Sequence, residues 1–344
     1  MKIQLLIQAT LLALIGVLCF GLASQTQAQN YTTVAAGGNF SAAGTWSGAQ
    51  PPQGGGTDVT LMLTNGSGNL TLDWTGAFML NKMTNLLYSG NANLYATAVT
   101  PAPYYLFTNT ATGVLPTINC PGDAIQFNLP VVLAANLTIN ASQLFNGHVI
   151  FQTTAAIISD TTPCSVTIHT VDSPPSYVGS YVDFRGANTY RGATIISAGV
   201  LKLNHSGSYV GSVNNSTNIS IAAGATLDVS PATSYTYVLS TNNALTANGT
   251  ATAALIKCAP GGGFNCAAQP IVLNYDGSHP ALGITNSAAG VVTLTLSNNT
   301  FTINGSVLAN GDYSIITNYS GSISVLGSSF TVNGTPTDRY SATR

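Results

Sequence analysis

Thr194-Ile195-Ile196-Ser197-Ala198-Gly199-Val200-Leu201-Lys202-Leu203 is answered by Ser220-Ile221-Ala222-Ala223-Gly224-Ala225-Thr226-Leu227-Asp228-Val229. Each stretch reads as strand, glycine turn, strand. The offset of about 26 residues falls within the repeat lengths of solenoids, where one supersecondary unit stacks on the next. Stacking the two as written brings Ile196 near Ala222 and Leu201 near Leu227. It also places Gly199 and Gly224 in turns, where a positive φ costs glycine little.

Outward from this pair, the chain keeps to short alternating runs broken by Gly, Asn, Ser and Pro. Examples are Leu70-Thr71-Leu72, Leu137-Thr138-Ile139-Asn140 and Val166-Thr167-Ile168-His169. No helical period of useful length follows residue 28. The fold class expected is all-β, a parallel β-helix or solenoid with antiparallel hairpins towards the C-terminus. Val291-Val292-Thr293-Leu294-Thr295-Leu296 and Phe301-Thr302-Ile303-Asn304 read as one such hairpin, joined by Ser297-Asn298-Asn299-Thr300. A solenoid running the whole way would make about twelve turns and a rod of roughly 60 Å. Composition divides the chain into 1–28, a turn-rich β region at 29–115, the solenoid at 116–269 and a possible β cap at 270–344, which would shield an open sheet edge.

The first copy is introduced by Tyr190 and Gly192. Together with Thr194, Ile196, Gly199, Leu201 and Leu203 they are spaced Y-x-G-x-T-x-I-x-x-G-x-L-x-L. Ile221, Gly224, Leu227 and Val229 carry the degenerate second copy. This pattern resembles the autotransporter-associated β-strand repeat of bacterial secreted passenger proteins, over about residues 186–230. A looser likeness covers Leu308 to Ile316 and the opening Gly38-Asn39-Phe40, Gly44-Thr45-Trp46 and Pro51-Pro52. The resemblance implies a parallel β-solenoid exported to the cell surface, and it transfers no catalytic residues.

The N-terminus reads as an export signal. Lys2 is followed by an apolar run from Ile3 to Ala23 and then by small and polar residues, so cleavage is expected after Ala28. An uncleaved anchor is the alternative, since the run is nearly long enough to span a bilayer. Leu18 before Cys19 argues against a lipoprotein. No transmembrane segment follows once the signal is cleaved, and the tail ending at Arg344 shows neither a barrel-like terminal aromatic nor an apolar anchor.

Charged residues make up 5% of the 344, with 8 basic against 10 acidic and no Glu at all. Globular chains average about 25%, so a basic nucleic-acid face is excluded. In a solenoid the low charge has a reason. Like charges stacked every ~4.8 Å repel, whereas Asn, Thr and Ser hydrogen-bond along the ladder. Four cysteines remain after cleavage, an even number in an exported chain. Proximity pairs Cys258 with Cys266 and Cys120 with Cys164 as disulfides.

Candidate chemistry is sparse. Asp276, Ser278 and His279 hold the letters of a hydrolytic triad, but sequence neighbours rarely converge, and Gly277 and Pro280 make the segment a turn. His148, His169, His205 and His279 form no ligand pair, although His148 and His169 lie close to one repeat apart. Asp172, Asp183 and Arg185 are the only acidic–basic group near the repeat; Asp183 and Arg185 share one side of a strand and suit an ion pair. Tyr104-Tyr105 and Tyr235-Tyr237 suit strands or a sugar-binding surface. The sequons at Asn136, Asn204, Asn218 and Asn318 are uninformative in so Asn-rich a chain. No catalytic, cofactor or metal residue is assigned.

These readings lead to a non-enzymatic secreted or cell-surface β-solenoid, a stalk, adhesin or matrix element. Its partners would be glycans, cell-surface or matrix components, or copies of itself. The rival expectations are a carbohydrate-active β-helix enzyme, which needs carboxylates gathered on one solenoid face, and a self-assembling filament.

Overall fold

A computed structural model describes residues 29–34, 37–64, 68–87, 90–142, 147–153, 156, 158–171, 179–231, 234–305 and 312–327, and the backbone of 329–333. The expected signal at 1–28, Asp172 and residues 308–311 of the closing segment lie outside them. Among the described residues there is no α-helix, and one 3-10 turn at Ala43–Thr45.

Alternating sequence makes strands because successive side chains point to opposite faces. Here the strands wind into a right-through parallel β-solenoid. A twelve-stranded sheet runs from Gln29–Thr32 to Ser329–Asn333, and an eleven-stranded sheet from Gly38–Asn39 to Ile316–Asn318. Sequence-adjacent strands alternate between sheets, and each strand pairs in parallel with its counterparts one turn earlier and later. A third side carries two four-stranded sheets, one from Ala77–Leu80 to Ile158–Asp160, the other from Thr236–Val238 to Gly321–Leu326. The stacking includes the strands of 29–115.

Inward residues form unbroken apolar ladders. One passes from Leu61 through Met83, Ile118, Ile139, Ile168, Ile196 and Ile221 to Leu273 and Ile303. All of these side chains are buried. A second ladder is aromatic: Phe127 stacks on Phe151 at 4.9 Å between ring centres, and Phe151 meets Phe184 edge-on at 5.3 Å. Near the first rungs, Trp46 packs edge-on against Phe40 at 5.1 Å and donates its indole N–H to the Phe40 carbonyl at 3.0 Å.

The repeat forms two adjacent rungs. Leu201 is the register partner of Leu227. Ile196, however, pairs with Ile221 rather than Ala222. Both isoleucines face inward, and a one-residue slip would have turned one of them to solvent. Gly199 and Gly224 occupy the turns with φ of 69° and 74°. A side chain at Gly199 would run into Thr170, a buried residue whose hydroxyl accepts the Val200 N–H at 2.9 Å. Tyr190 is buried, and its hydroxyl lies 2.6 Å from that of Thr194, which donates to Ser216 Oγ at 3.0 Å. Leu203 and Val229 are buried core positions beyond them.

Two expectations are corrected. The C-terminal hairpin does not form. Val292–Ser297 lies in a four-stranded sheet and Thr300–Gly305 in the twelve-stranded one, each paired in parallel with neighbouring turns. The link between them is a solenoid corner. Asn299 turns inward, accepts the Ser297 N–H at 2.7 Å and donates to the Gln269 carbonyl of the preceding turn at 2.8 Å. The only antiparallel contacts among the described residues are the isolated bridges Thr33–Trp46 and Thr250–Thr252.

The disulfides are absent as well: Cys120, Cys164, Cys258 and Cys266 are free and buried. Cys120 ends its strand, whereas Cys164 precedes the strand beginning at Val166, with the Leu137–Ser142 strand between them. The two are separated by most of a strand length, on the order of 20 Å, far beyond disulfide reach. Residues 259–262 turn a corner, and Gly263–Asn265 then carries Cys266 away by roughly 10 Å. Chain proximity therefore does not translate into spatial proximity.

Candidate functional site

The outer face of the eleven-stranded sheet gathers charge. Ile150, Asp183, Lys202, Asp228, Lys257 and Thr285 are successive register partners, one per turn. Four of them are ionic and alternate in sign. At one strand spacing of ~4.8 Å, Lys202 and Asp228 each have an opposite charge on either side, Asp183 and Lys257 have one each, and like charges are kept two spacings apart.

Contacts across the column fix its members. Arg185 Nε donates to Asp183 Oδ2 at 2.8 Å, and its guanidinium lies 4.9 Å from the Tyr209 ring centre. Asp228 Oδ1 accepts the Ser230 N–H at 2.9 Å and its hydroxyl at 2.6 Å, while Oδ2 lies 3.5 Å from Lys257 Nζ. Lys202 Nζ sits 3.3 Å from the centre of the Tyr181 ring, and His148 stacks on that same ring at 3.9 Å. Burial, opposed by Asp228 and Asp183, pulls the Lys202 ammonium below its usual pKa. Burial and then the Lys202 charge do the same to His148.

Catalysis by this group would need an accessible acid and base. Asp183 and Asp228 stand two turns apart, about 10 Å by strand spacing, near the upper range of an inverting glycosidase pair. Lys202 occupies the position between them, where such an enzyme would hold its water. The side chains of Asp183 and Asp228 are 4% and 5% exposed, and each is engaged by a cation. Asp183 Oδ1 is buried without a hydrogen-bond partner. The group is built as an ion ladder, with its carboxylates turned away from solvent.

The outer face of the twelve-stranded sheet differs completely. One column passes through Thr117, Thr138, Thr167, Ile195, Ser220 and Thr246. Two residues along each strand, a second column begins with Asn119, Asn140 and His169 and resumes with Asn248, Asn274 and Asn304. Asn140 Nδ2 donates to Asn119 Oδ1 at 2.8 Å, Asn304 to Asn274 at 2.8 Å, and Asn274 to Asn248. This face is half-exposed, polar and nearly free of charge.

The remaining candidates serve local structure. Asp276 accepts the backbone N–H groups of Ser278 and His279 at 2.8 and 2.7 Å and pairs with His279 Nδ1 at 2.8 Å. This is an Asx-type turn, and those hydrogen bonds hold the Asp276 carboxyl well below the usual range. His148 and His169 belong to different sheets and do not stack; His169 instead meets Ser197 Oγ at 3.3 Å. His205 stacks on Tyr235 at 4.3 Å. Tyr105 and Tyr237 are buried, whereas Tyr104 is half-exposed. Asn136, Asn204 and Asn218 all accept local or inter-turn hydrogen bonds, and Asn318 caps a bend through Ser320. No group of three metal-ligating side chains occurs among the described residues, and no described helix is long and apolar enough to cross a membrane.

Sequence reasoning singled out Asp183 and Arg185 but missed Lys202, Asp228 and Lys257. Their separations in the chain are unequal because turns differ in length, so only the rung register reveals the column. Lys202 and Asp228 occupy corresponding places in the two written repeats, which was the available signal. Comparison with known proteins gives no match: no family model fits the chain, and no curated relative or solved structure is similar to it.

Proposed function

We propose that the chain is the β-solenoid of an exported, non-enzymatic surface or extracellular protein, acting as a stalk, adhesin or matrix element. The observation that supports this most is the state of Asp183 and Asp228. The carboxylates that a β-helix glycan enzyme would present are gathered on one face, yet they are buried and ion-paired. What meets solvent over the twelve-stranded sheet is a repetitive neutral field, suited to many weak simultaneous contacts. The N-terminal signal pattern and the likeness of 186–230 to passenger repeats supply export and the cell-surface setting.

The test assays the full chain against plant and bacterial polysaccharides for new reducing or unsaturated ends, beside its Asp183→Asn/Asp228→Asn variant. Binding to cells and extracellular matrix is measured in parallel. Binding without cleavage is expected. Cleavage that disappears in the double variant would establish the enzyme instead, and regular fibres in electron micrographs would establish the filament.

A further inference from the structure

The outer face of the twelve-stranded sheet is a grid with two fixed repeats. Along the solenoid axis the Thr column recurs at ~4.8 Å without a break from Thr117 to Thr302, the Asn column recurs in two blocks separated by a register shift after Ile168, and across each strand outward neighbours lie about 6.7 Å apart. We propose that this face binds ice. The proposal rests on the reading that the chain works through its surface, and it names the ligand class for one side of that surface.

The grid is rigid before any ligand arrives. Thr and Ile are stiff at χ1 because two heavy atoms sit on Cβ. The Asn amides are tied rung to rung, Asn140 to Asn119 and Asn304 to Asn274. Little side-chain freedom is left to lose on binding. Amide bonds between successive strands also require little twist between them, because side-chain ladders go with flat stacking. Where hydroxyls are missing, as at Ile195 and Val272, a β-branched methyl remains at the same grid point.

The chemistry of the face narrows the occupant. A charged polymer would need countercharges, and Lys82 and His169 are the only ionisable residues in the two columns among the described side chains. A sugar ring would be expected to stack on an aromatic face, and neither column holds Phe, Tyr or Trp. The complement to a neutral, two-dimensional array of hydroxyl, amide and methyl groups is a neutral two-dimensional array of oxygens. Both repeats are close to oxygen spacings in the faces of an ice crystal. Each contact is weak, but simultaneous engagement of many rungs gives avidity.

The test is ice-affinity partitioning of the fluorescently labelled full chain, with inhibition of ice recrystallisation as a second readout. Thr138→Tyr/Thr246→Tyr disrupts the grid with a residue that suits strands. Thr226→Tyr, on the outer face of the other sheet, is the control. The unaltered chain and the control should be enriched in growing ice, and the grid variant should fall several-fold, to the level of an inert protein. Should circular dichroism show the double variant misfolded, Thr138→Lys replaces it, since Lys82 shows that the column accepts a lysine and the partners of Thr138, Thr117 and Thr167, are uncharged, and the same fall is expected. Exclusion of the unaltered chain from ice, or equal enrichment of the folded grid variant, would overturn the proposal. Binding to cells or glycans without enrichment in ice would also overturn it, while leaving the surface reading intact.

Discussion

Asp183 and Lys202 are register partners on adjacent turns, with the Lys202 ammonium lying over the ring of Tyr181, two residues before Asp183. Asp228 flanks Lys202 from the next turn. In a chain with so few charges, this column and the inter-turn pair of Arg191 with Asp160 at 2.8 Å are where electrostatics acts on the stacking of rungs.

Removing one member should therefore cost more than a surface charge does. Asp183→Ala leaves Arg185 without its carboxylate and Lys202 with Asp228 alone, and breaking a buried pair costs about 3 kcal/mol. Urea denaturation should show that loss. Asp183→Ala/Arg185→Ala should lose less than the sum of the single substitutions, because the two share one interaction.

Two half-buried histidines give a pH dependence. His148 and His205 are held below the ordinary histidine value of 6.5, chiefly by burial. A depressed folded pKa means that the unfolded chain takes up protons first as pH falls. Stability is then full above about pH 6.5 and declines as pH drops through the folded values. Chemical denaturation at several pH values should show this decline, and His148→Phe, which keeps a ring over Tyr181, should reduce it. A decline of equal size in His148→Phe would remove His148 from the account.

The turn glycines separate conformation from crowding. Gly199 and Gly207 both have positive φ, at 69° and 66°. Nothing lies within 4 Å of a side chain at Gly207, whereas one at Gly199 meets Thr170. Gly207→Ala should cost about 1 kcal/mol, the backbone penalty alone, and Gly199→Ala clearly more. Equal losses in thermal unfolding would contradict the packing described at the repeat turn.

The core ladder gives a further expectation. Leu201 is fully buried between the register partners Val182 and Leu227. Leu201→Ala should cost roughly 2–5 kcal/mol, measured by the shift in denaturation midpoint at unchanged slope.

The thiols should be silent in the folded chain. Burial pushes Cys120, Cys258 and Cys266 up to about 12, and raises Cys164 as well. The thiolate is the reactive form. Alkylation at pH 8 should label these four residues only after denaturation, and non-reducing peptide maps should match reducing ones. A linked Cys258–Cys266 peptide would show that the corner closes differently.

Much of the solenoid was legible because its cause is local. Alternation in Leu137-Thr138-Ile139-Asn140 fixes a strand with one inward face, and the two copies around Gly199 and Gly224 fix the stacking of turns. What sequence left open was decided by partners far along the chain. Ser297-Asn298-Asn299-Thr300 suits a hairpin as well as a corner; the buried Asn299 amide, bonded to the Gln269 carbonyl of the turn before, selects the corner. The cysteines looked paired because they are near in sequence, while strand direction keeps them apart. Asp183 was visible as half of an ion pair with Arg185, but its alternation with Lys202, Asp228 and Lys257 exists only once the register is set.

The most direct test of the parallel solenoid is a distance between spin labels at Thr117 and Thr302, introduced as Thr117→Cys and Thr302→Cys with the buried thiols left unlabelled. These positions lie on one outer column of the twelve-stranded sheet, separated by seven strand steps. At ~4.8 Å per step the account expects a single separation of about 34 Å between backbones. A much shorter or broad distribution, as from a C-terminal segment folded back in antiparallel hairpins, would contradict it.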